Sequence, residues 1–150
     1  MKYKKYFKEI EYYLKKEFNV DVIISYDTQD YWMPNFNKIL INKNNKWRER
    51  YFSLLHESGH VKLDIGDNTT KNMKMSIEYS EKLKSKKDIV CNLNEEILAW
   101  SLGKKLAIHL NHEFDIEIYN KIKTNCIMSY IKSGLCEVYG KKIDISVIKT

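Results

Sequence analysis

Proline and glycine are scarce. One proline and five glycines in 150 residues exclude a collagen-like chain and argue against a linker-rich or turn-dense all-β design. No run approaches eighteen uncharged apolar residues, so no membrane-spanning helix is expected. The opening MKYKKYFKEIEYYLKKEF carries a charge every few residues and reads as no signal peptide. The three cysteines, Cys91, Cys126 and Cys136, form no C-x-x-C pair and leave one over, the pattern of free thiols in a reducing compartment. Their spacing fits neither a zinc ribbon nor a redox pair. Arginine is nearly missing too, with only Arg48 and Arg50 among 26 basic residues. Readers of base sequence lean on arginine's forked guanidinium, so nucleic-acid binding is not the favoured purpose of the +6 net charge. These absences together read as a soluble, cytoplasmic protein with no membrane partner.

What is present suits one ordinary domain over residues 1–150. Apolar residues make up 43% and charged residues 31%, and a chain of this length buries roughly 68–70% of its extended surface. In the first eighteen residues Tyr3, Tyr6, Phe7, Ile10, Tyr13, Leu14 and Phe18 recur at three- and four-residue steps, which predicts an amphipathic helix. VDVIIS (20–25) and KILIN (38–42) predict strands, separated by a polar connection that carries Trp32, Met33 and Pro34. Asn44 or Asn45 is the expected cap of a helix running from about Trp47 to Leu63 and ended by Gly66. Residues 73–87 read as a solvated helix. Further helices are predicted over about 94–110 and over 117–132, the second stopping before Gly134. The stretch 141–149 alternates like a strand. Strands early and helices late predict an α+β class, with a small sheet packed by helices.

The chemistry concentrates in His56-Glu57-Ser58-Gly59-His60, an H-E-x-x-H pattern inside a predicted helix. At 100° per residue, His56 and His60 lie about 40° apart and one turn along. Two imidazoles so placed can reach one ion at the roughly 2.0–2.1 Å that zinc prefers. Glu57, beside them but off the metal axis, can take a proton from a water that the ion acidifies. With four histidines and twelve glutamates in the chain, such a pattern arises by chance about once in a hundred sequences. Gly59 costs about 1 kcal/mol against alanine in a helix, so close packing of another element is expected there.

A catalytic zinc needs a third protein ligand and an open position. Glu95 and Glu96 are the candidates. With Glu96 as reference, Ala99, Trp100, Gly103, Ala107 and Leu110 fall within about 60° on a helical wheel, and a carboxylate on so apolar a stripe calls for a partner. Periodicity barely separates the two acids. Both also suit the first turn of a helix, where a negative charge meets the dipole. His109 and His112 lie too far round and along to share a metal with Glu96, and read as surface or half-buried residues.

KILIN, a polar turn, RERYFSLLHESGHVKL and a later E-x-x-A (Glu96-Ile97-Leu98-Ala99) resemble the ImmA/IrrE family of small zinc metallopeptidases. The likeness covers residues 38–110 and is strongest over 47–63. Metallopeptidase domains of plasmid anti-restriction proteins look similar around the same motif. The resemblance implies a minimal zincin-like domain with the motif on a central helix. It implies Zn2+ held by His56, His60 and Glu96, with Glu57 as general base. The E-x-x-A register favours Glu96 over Glu95. Trp100 stands where members often carry Asn or Asp. The implied activity is a narrow endopeptidase acting on a regulatory protein, such as a helix-turn-helix repressor, in a phage, mobile-element or stress-response setting. The substrate is expected to lie extended beside KILIN at the sheet edge, under a lid formed by residues 64–92, with one tyrosine as oxyanion donor. Two alternatives stand beside this reading. One is a catalytically silent zinc-bound protein that inhibits a regulatory or defence protein. The other is a basic nucleic-acid-associated protein.

Overall fold

The computed structural model describes residues 1–26, 29–66 and 85–140. Helix α1 spans Lys2–Phe18 and turns Phe7, Ile10 and Leu14 inward at the spacing that predicted it. It stops at Asn19, whose backbone enters the left-handed region at φ 53°; asparagine tolerates that conformation better than most residues.

Three short strands follow: β1 (Asp21–Ser25), β2 (Tyr31–Met33) and β3 (Lys38–Asn42). Their order in the sheet is β1-β3-β2, with β1 parallel and β2 antiparallel to β3. Val22 and Ile24 lie opposite Ile39 and Ile41, and the last two are fully buried. That face meets the helices: α1 packs on β1, and the next helix on β2 and β3.

The sheet corrects one expectation. The 31–33 stretch is a strand rather than a polar connection, paired for three residues before Pro34 opens a short 3-10 turn. KILIN is therefore the central strand. Both its sides are occupied, and an extended substrate cannot add to it.

Helix α2 (Trp47–Ile65) is the centre of the molecule, with Tyr51, Phe52, Leu54 to Gly59, Val61 and Leu63 all buried. Such all-round burial is why its sequence shows no clean apolar stripe. It begins at Trp47 as expected, but its cap is Lys46 rather than Asn44 or Asn45. The side chain of Glu49 reaches back to accept from the Lys46 N–H at 2.8 Å, while Asn42 holds the Asn44 N–H. Gly66 ends it as expected.

Helix α3 (Lys86–His109) lies against α2 and starts eight residues earlier than its apolar periodicity suggested. Ser85 and Asp88 cap it reciprocally, Ser85 Oγ accepting from the Asp88 N–H at 3.2 Å and Asp88 Oδ2 from the Ser85 N–H at 2.9 Å. Glu95 and Glu96 are thus well inside the helix, and the dipole of a first turn does not explain either. Helix α4 (Ile116–Tyr139) packs on α3. It is capped by Asp115, runs through a buried Gly134 instead of stopping before it, and ends at Gly140 with φ 64°.

The described residues form an α+β arrangement of four helices and one small mixed sheet. None of their helices is long and apolar enough to cross a membrane. The lid expected over 64–92 falls largely outside the described residues; at its margins Asp64 and Ile65 close α2, and 86–92 open α3. The strand expected over 141–149 and most of the solvated helix over 73–87 also lie outside them.

Candidate metal centre

Two glycines bring the site together. A Cβ on Gly59 would stand 1.9 Å from the Ala99 carbonyl oxygen, and one on Gly103 would stand 2.2 Å from that of Leu55. Helices α2 and α3 therefore cross antiparallel at backbone contact, closer than any pair of side chains permits. This accounts for Gly59 in mid-helix, and for a small residue three positions after Glu96. With the backbones so near, the Glu96 carboxylate is delivered onto the histidine face of α2.

The contacts are direct. His56 Nε2 lies 2.8 Å from Glu96 Oε2, and His60 Nε2 lies 3.4 Å from Glu96 Oε1. One carboxylate spans two imidazoles whose centroids are 4.7 Å apart. Glu95 meets the other side of His60, with Oε1 3.5 Å from Nδ1. Geometry thus separates two acids that periodicity could not. Glu96 faces the shared space, and Glu95 orients one ring from behind, the usual partner arrangement for a ligating histidine. Glu57 Oε1 stands 3.3 Å from His56 Nδ1. Trp100 stacks on the His56 ring at 4.6 Å and 13°, and the Tyr119 hydroxyl donates to the Trp100 carbonyl at 2.8 Å. The large residue at position 100 fixes a ring rather than adding a polar group.

His56, Glu57 and Glu96 are each 5% exposed. Burial opposes the His56 imidazolium, but the Glu57 and Glu96 carboxylates outweigh it and raise its pKa. Burial likewise opposes charge on His60, yet Glu95 and Glu96 hold its pKa up at about 10. Glu96, buried as it is, is pulled down to about 2 by the two imidazoles. The group is a concentrated set of ligand atoms in which the carboxylates favour the charged imidazoles. Two of those atoms remain unsatisfied: His56 Nε2 and Glu96 Oε2 are buried and lack hydrogen-bonding geometry, although they lie 2.8 Å apart. Buried polar atoms in this condition call for a further partner. An imidazole nitrogen and a carboxylate oxygen, with a second histidine alongside, are a donor set that zinc accepts. The donor types fit the ion; among the described residues the close group of ligand atoms is His56, Glu96 and Cys126, and His60 joins it through Glu96.

A cleft of about 560 Å³ opens onto this group, walled by Ser53, His56, Glu57, Trp100, Cys126 and Tyr130. A smaller one of about 210 Å³ adjoins it, sharing Asp30, Glu57 and Tyr130 and lined on one side by Tyr31 and Trp32 of β2. Asp30, just before that strand, accepts from Ser53 Oγ of α2 at 2.7 Å and from the Asn42 N–H of β3 at 2.5 Å. Trp32 Nε1 donates to Asp64 Oδ2 at 2.7 Å and pins the same strand to the far end of α2. His109 is exposed and lines a separate groove against α1, and His112 is buried in a structural cluster.

Cys126 and Tyr130 escaped the sequence reading. Ligand atoms of His56, Glu96 and Cys126 all lie within 4.8 Å of one another, so a thiol given no role stands at the site. Burial pushes that thiol up to about 11, with the Trp100 indole opposing and the Glu96 and Glu57 charges adding to the rise. Burial and the neighbouring Glu96 charge raise the Tyr130 phenol well above its ordinary value, so it is held as a donor. The available signal was the helical step Ile122, Cys126, Tyr130, which puts three side chains on one face of α4.

In comparisons with known proteins, no family model, no curated protein and no solved structure matches the chain.

Proposed function

We propose that this protein is a zinc-dependent endopeptidase of narrow specificity, of the kind that the likeness to ImmA/IrrE metallopeptidases implies. The observation that carries the reading is one buried carboxylate, Glu96, touching two imidazoles one helical turn apart, with orphaned ligand atoms on both sides of the contact. His56, His60 and Glu96 would hold the ion, which when bound supplies a Lewis acid for a peptide carbonyl and lowers the pKa of water toward about 7. Glu57 borders both clefts next to His56 and lies outside the ligand set, so it takes the proton from attacking water and returns it to the leaving amine. Tyr130, a neutral phenol facing the same space, donates a hydrogen bond to charge that develops on the carbonyl oxygen. Among the described residues β2 pairs only with β3, and Tyr31 and Trp32 line the smaller cleft. An extended peptide adding to β2, rather than to KILIN, would run past the ion. A regulatory protein such as a helix-turn-helix repressor in the cytoplasm, in a phage, mobile-element or stress-response setting, is the substrate class proposed on the same resemblance.

The test is metal analysis and peptide cleavage with three chains. The natural chain should carry one zinc and cleave. Glu57→Gln should keep the zinc and lose about 10²–10⁴-fold in rate. His56→Ala should lose both. Cleavage that survives Glu57→Gln, or a natural chain that binds no zinc, overturns the reading. The second reading, a zinc-bound protein without turnover, draws on the thiol of Cys126 beside the ligand set. It predicts that Glu57→Gln keeps the full biological effect.

A further inference from the structure

Resting on the zinc reading above, we infer that Cys126 is a fourth protein ligand of the resting site: its thiolate fills the position that substrate needs and must leave before turnover. A catalytic zinc is distinguished from a structural one by three protein ligands and an open position. Here the open side is not empty of donors. Helix α4 places Cys126 on the cleft wall, and its sulfur lies within 4.8 Å of ligand atoms of both His56 and Glu96. In a tetrahedral site with bonds of about 2.0–2.3 Å, ligand atoms stand roughly 3.3–3.8 Å apart. The remaining gap is at most about 1.0–1.5 Å, within reach of a side-chain rotation about one bond.

An independent observation points the same way. His56 Nε2 and Glu96 Oε2 are more than nine-tenths buried and face each other at 2.8 Å without hydrogen-bonding geometry, and the sulfur of Cys126 stands beside them. Charge supports it as well. Glu96 and one thiolate bring two negative charges to a divalent ion, and a buried centre with no net charge is the least costly to desolvate. Neither Cys91 nor Cys136 lines the cleft.

The step balances simply. On metal binding the Cys126 S–H bond breaks, its proton goes to solvent, and a sulfur–metal bond forms; nothing is oxidised or reduced. On opening, the sulfur–metal bond breaks, the thiolate takes a proton back, and a water or substrate oxygen takes its place. Covalent capping of the thiol, by an alkylating agent for example, would hold the site open.

The experiment uses cobalt in place of zinc, in a Cys91→Ser/Cys136→Ser chain where Cys126 is the single thiol. One cobalt per chain with a near-ultraviolet thiolate-to-cobalt absorption band is expected. Cys126→Ser should keep the cobalt, lose the band and bind about tenfold or more weakly. On the natural chain, zinc should slow iodoacetamide labelling of Cys126, mapped by mass spectrometry, by about tenfold or more, and a chelator should restore it. The mapping needs no variant to fold. Bound cobalt without the band, a band that survives Cys126→Ser, or labelling indifferent to zinc overturns the role of Cys126 and leaves the three-ligand site standing. A natural chain that binds neither metal overturns both.

Discussion

Two buried histidines in this chain sit beside a carboxylate and stack on an aromatic ring, and they differ in what is left over. His112 lies between α3 and α4. Tyr6 covers its ring at 4.1 Å and 11°, the Tyr51 hydroxyl meets Nδ1 at 3.3 Å, and Glu9 meets Nε2 at 2.9 Å. Both ring nitrogens are matched, and the cluster joins α1, α2 and the turn after α3 into one packed body. His56 stacks on Trp100 with almost the same geometry, yet its Nε2 is buried with no hydrogen bond beside a carboxylate oxygen in the same condition. A matched buried histidine holds elements together. An unmatched one calls for a further partner, and a bound ion would supply it.

The largest expected effect comes from the contact that makes the second arrangement possible. Gly59→Val puts a branched side chain where a single Cβ already stands 1.9 Å from the Ala99 carbonyl oxygen. The clash is with backbone, so no rotamer relieves it, and α2 and α3 must separate. Loss of about 3 kcal/mol or more of stability is expected, and metal binding goes with it. Thermal unfolding followed by circular dichroism measures the first, and metal content of whatever folded protein remains measures the second. A variant that unfolds like the natural chain and still binds zinc would show that the close crossing does not build the site.

Next in size, His112→Gln tests whether the matched histidine is only structural. It removes the ring stacked on Tyr6 and disturbs the partners of the buried Tyr51 hydroxyl and of Glu9. About 2 kcal/mol of stability should go, with zinc affinity unchanged within about twofold. His56→Gln should do the reverse to affinity, weakening it by about a hundredfold or more. If both substitutions shifted zinc affinity alike, the contrast between the two histidines would be void.

Much of the second arrangement was legible along the chain, and the reason is local. Two imidazoles at four-residue spacing share a face whatever surrounds the helix, and a carboxylate on an apolar stripe announces a partner wherever that partner sits. The crossing of α2 and α3 was hinted at by Gly59, because glycine in mid-helix needs an external reason. What could not be read depends on which element lies against which. Cys126 and Tyr130 share a face of α4, but only the packing of that helix on α3 turns the face to the cleft. Strand β2 is three residues long and runs into proline; pairing with β3 and the Asp30 hydrogen bonds make it a strand, and its own propensity does not. The early start of α3 was available in Ser85-Lys86-Lys87-Asp88, a reciprocal cap overlooked because the apolar stripe strengthens only later.

The smallest effect sharpens the comparison through pH, because His60, the second histidine of the site, and His112 respond with opposite sign. In the metal-free chain His60 is raised from 6.5 to about 10, with burial opposing and Glu95 and Glu96 outweighing it. A raised pKa gives stability that is complete below about 6.5 and is lost as pH climbs through 10. Glu96 is lowered from 4.5 to about 2, so its contribution is complete above 4.5 and is lost as pH falls through 2. Burial lowers His112 instead, with Glu9 opposing, and its contribution is complete above about 6.5 and declines as pH falls below that value. The metal-free Tm should therefore decline from about pH 6.5 toward 10. Glu96→Gln should shrink that decline, since His60 then keeps only Glu95, whereas His112→Gln should leave it intact. Zinc affinity should move the other way over the same range, because each proton displaced from an imidazole competes with the ion and leaves more readily as pH rises. A metal-free Tm that is flat above pH 6.5, or a decline that persists unchanged in Glu96→Gln, would mean that Glu96 does not hold His60 in its charged form. An affinity that fell with pH would mean that they are not the ion's ligands.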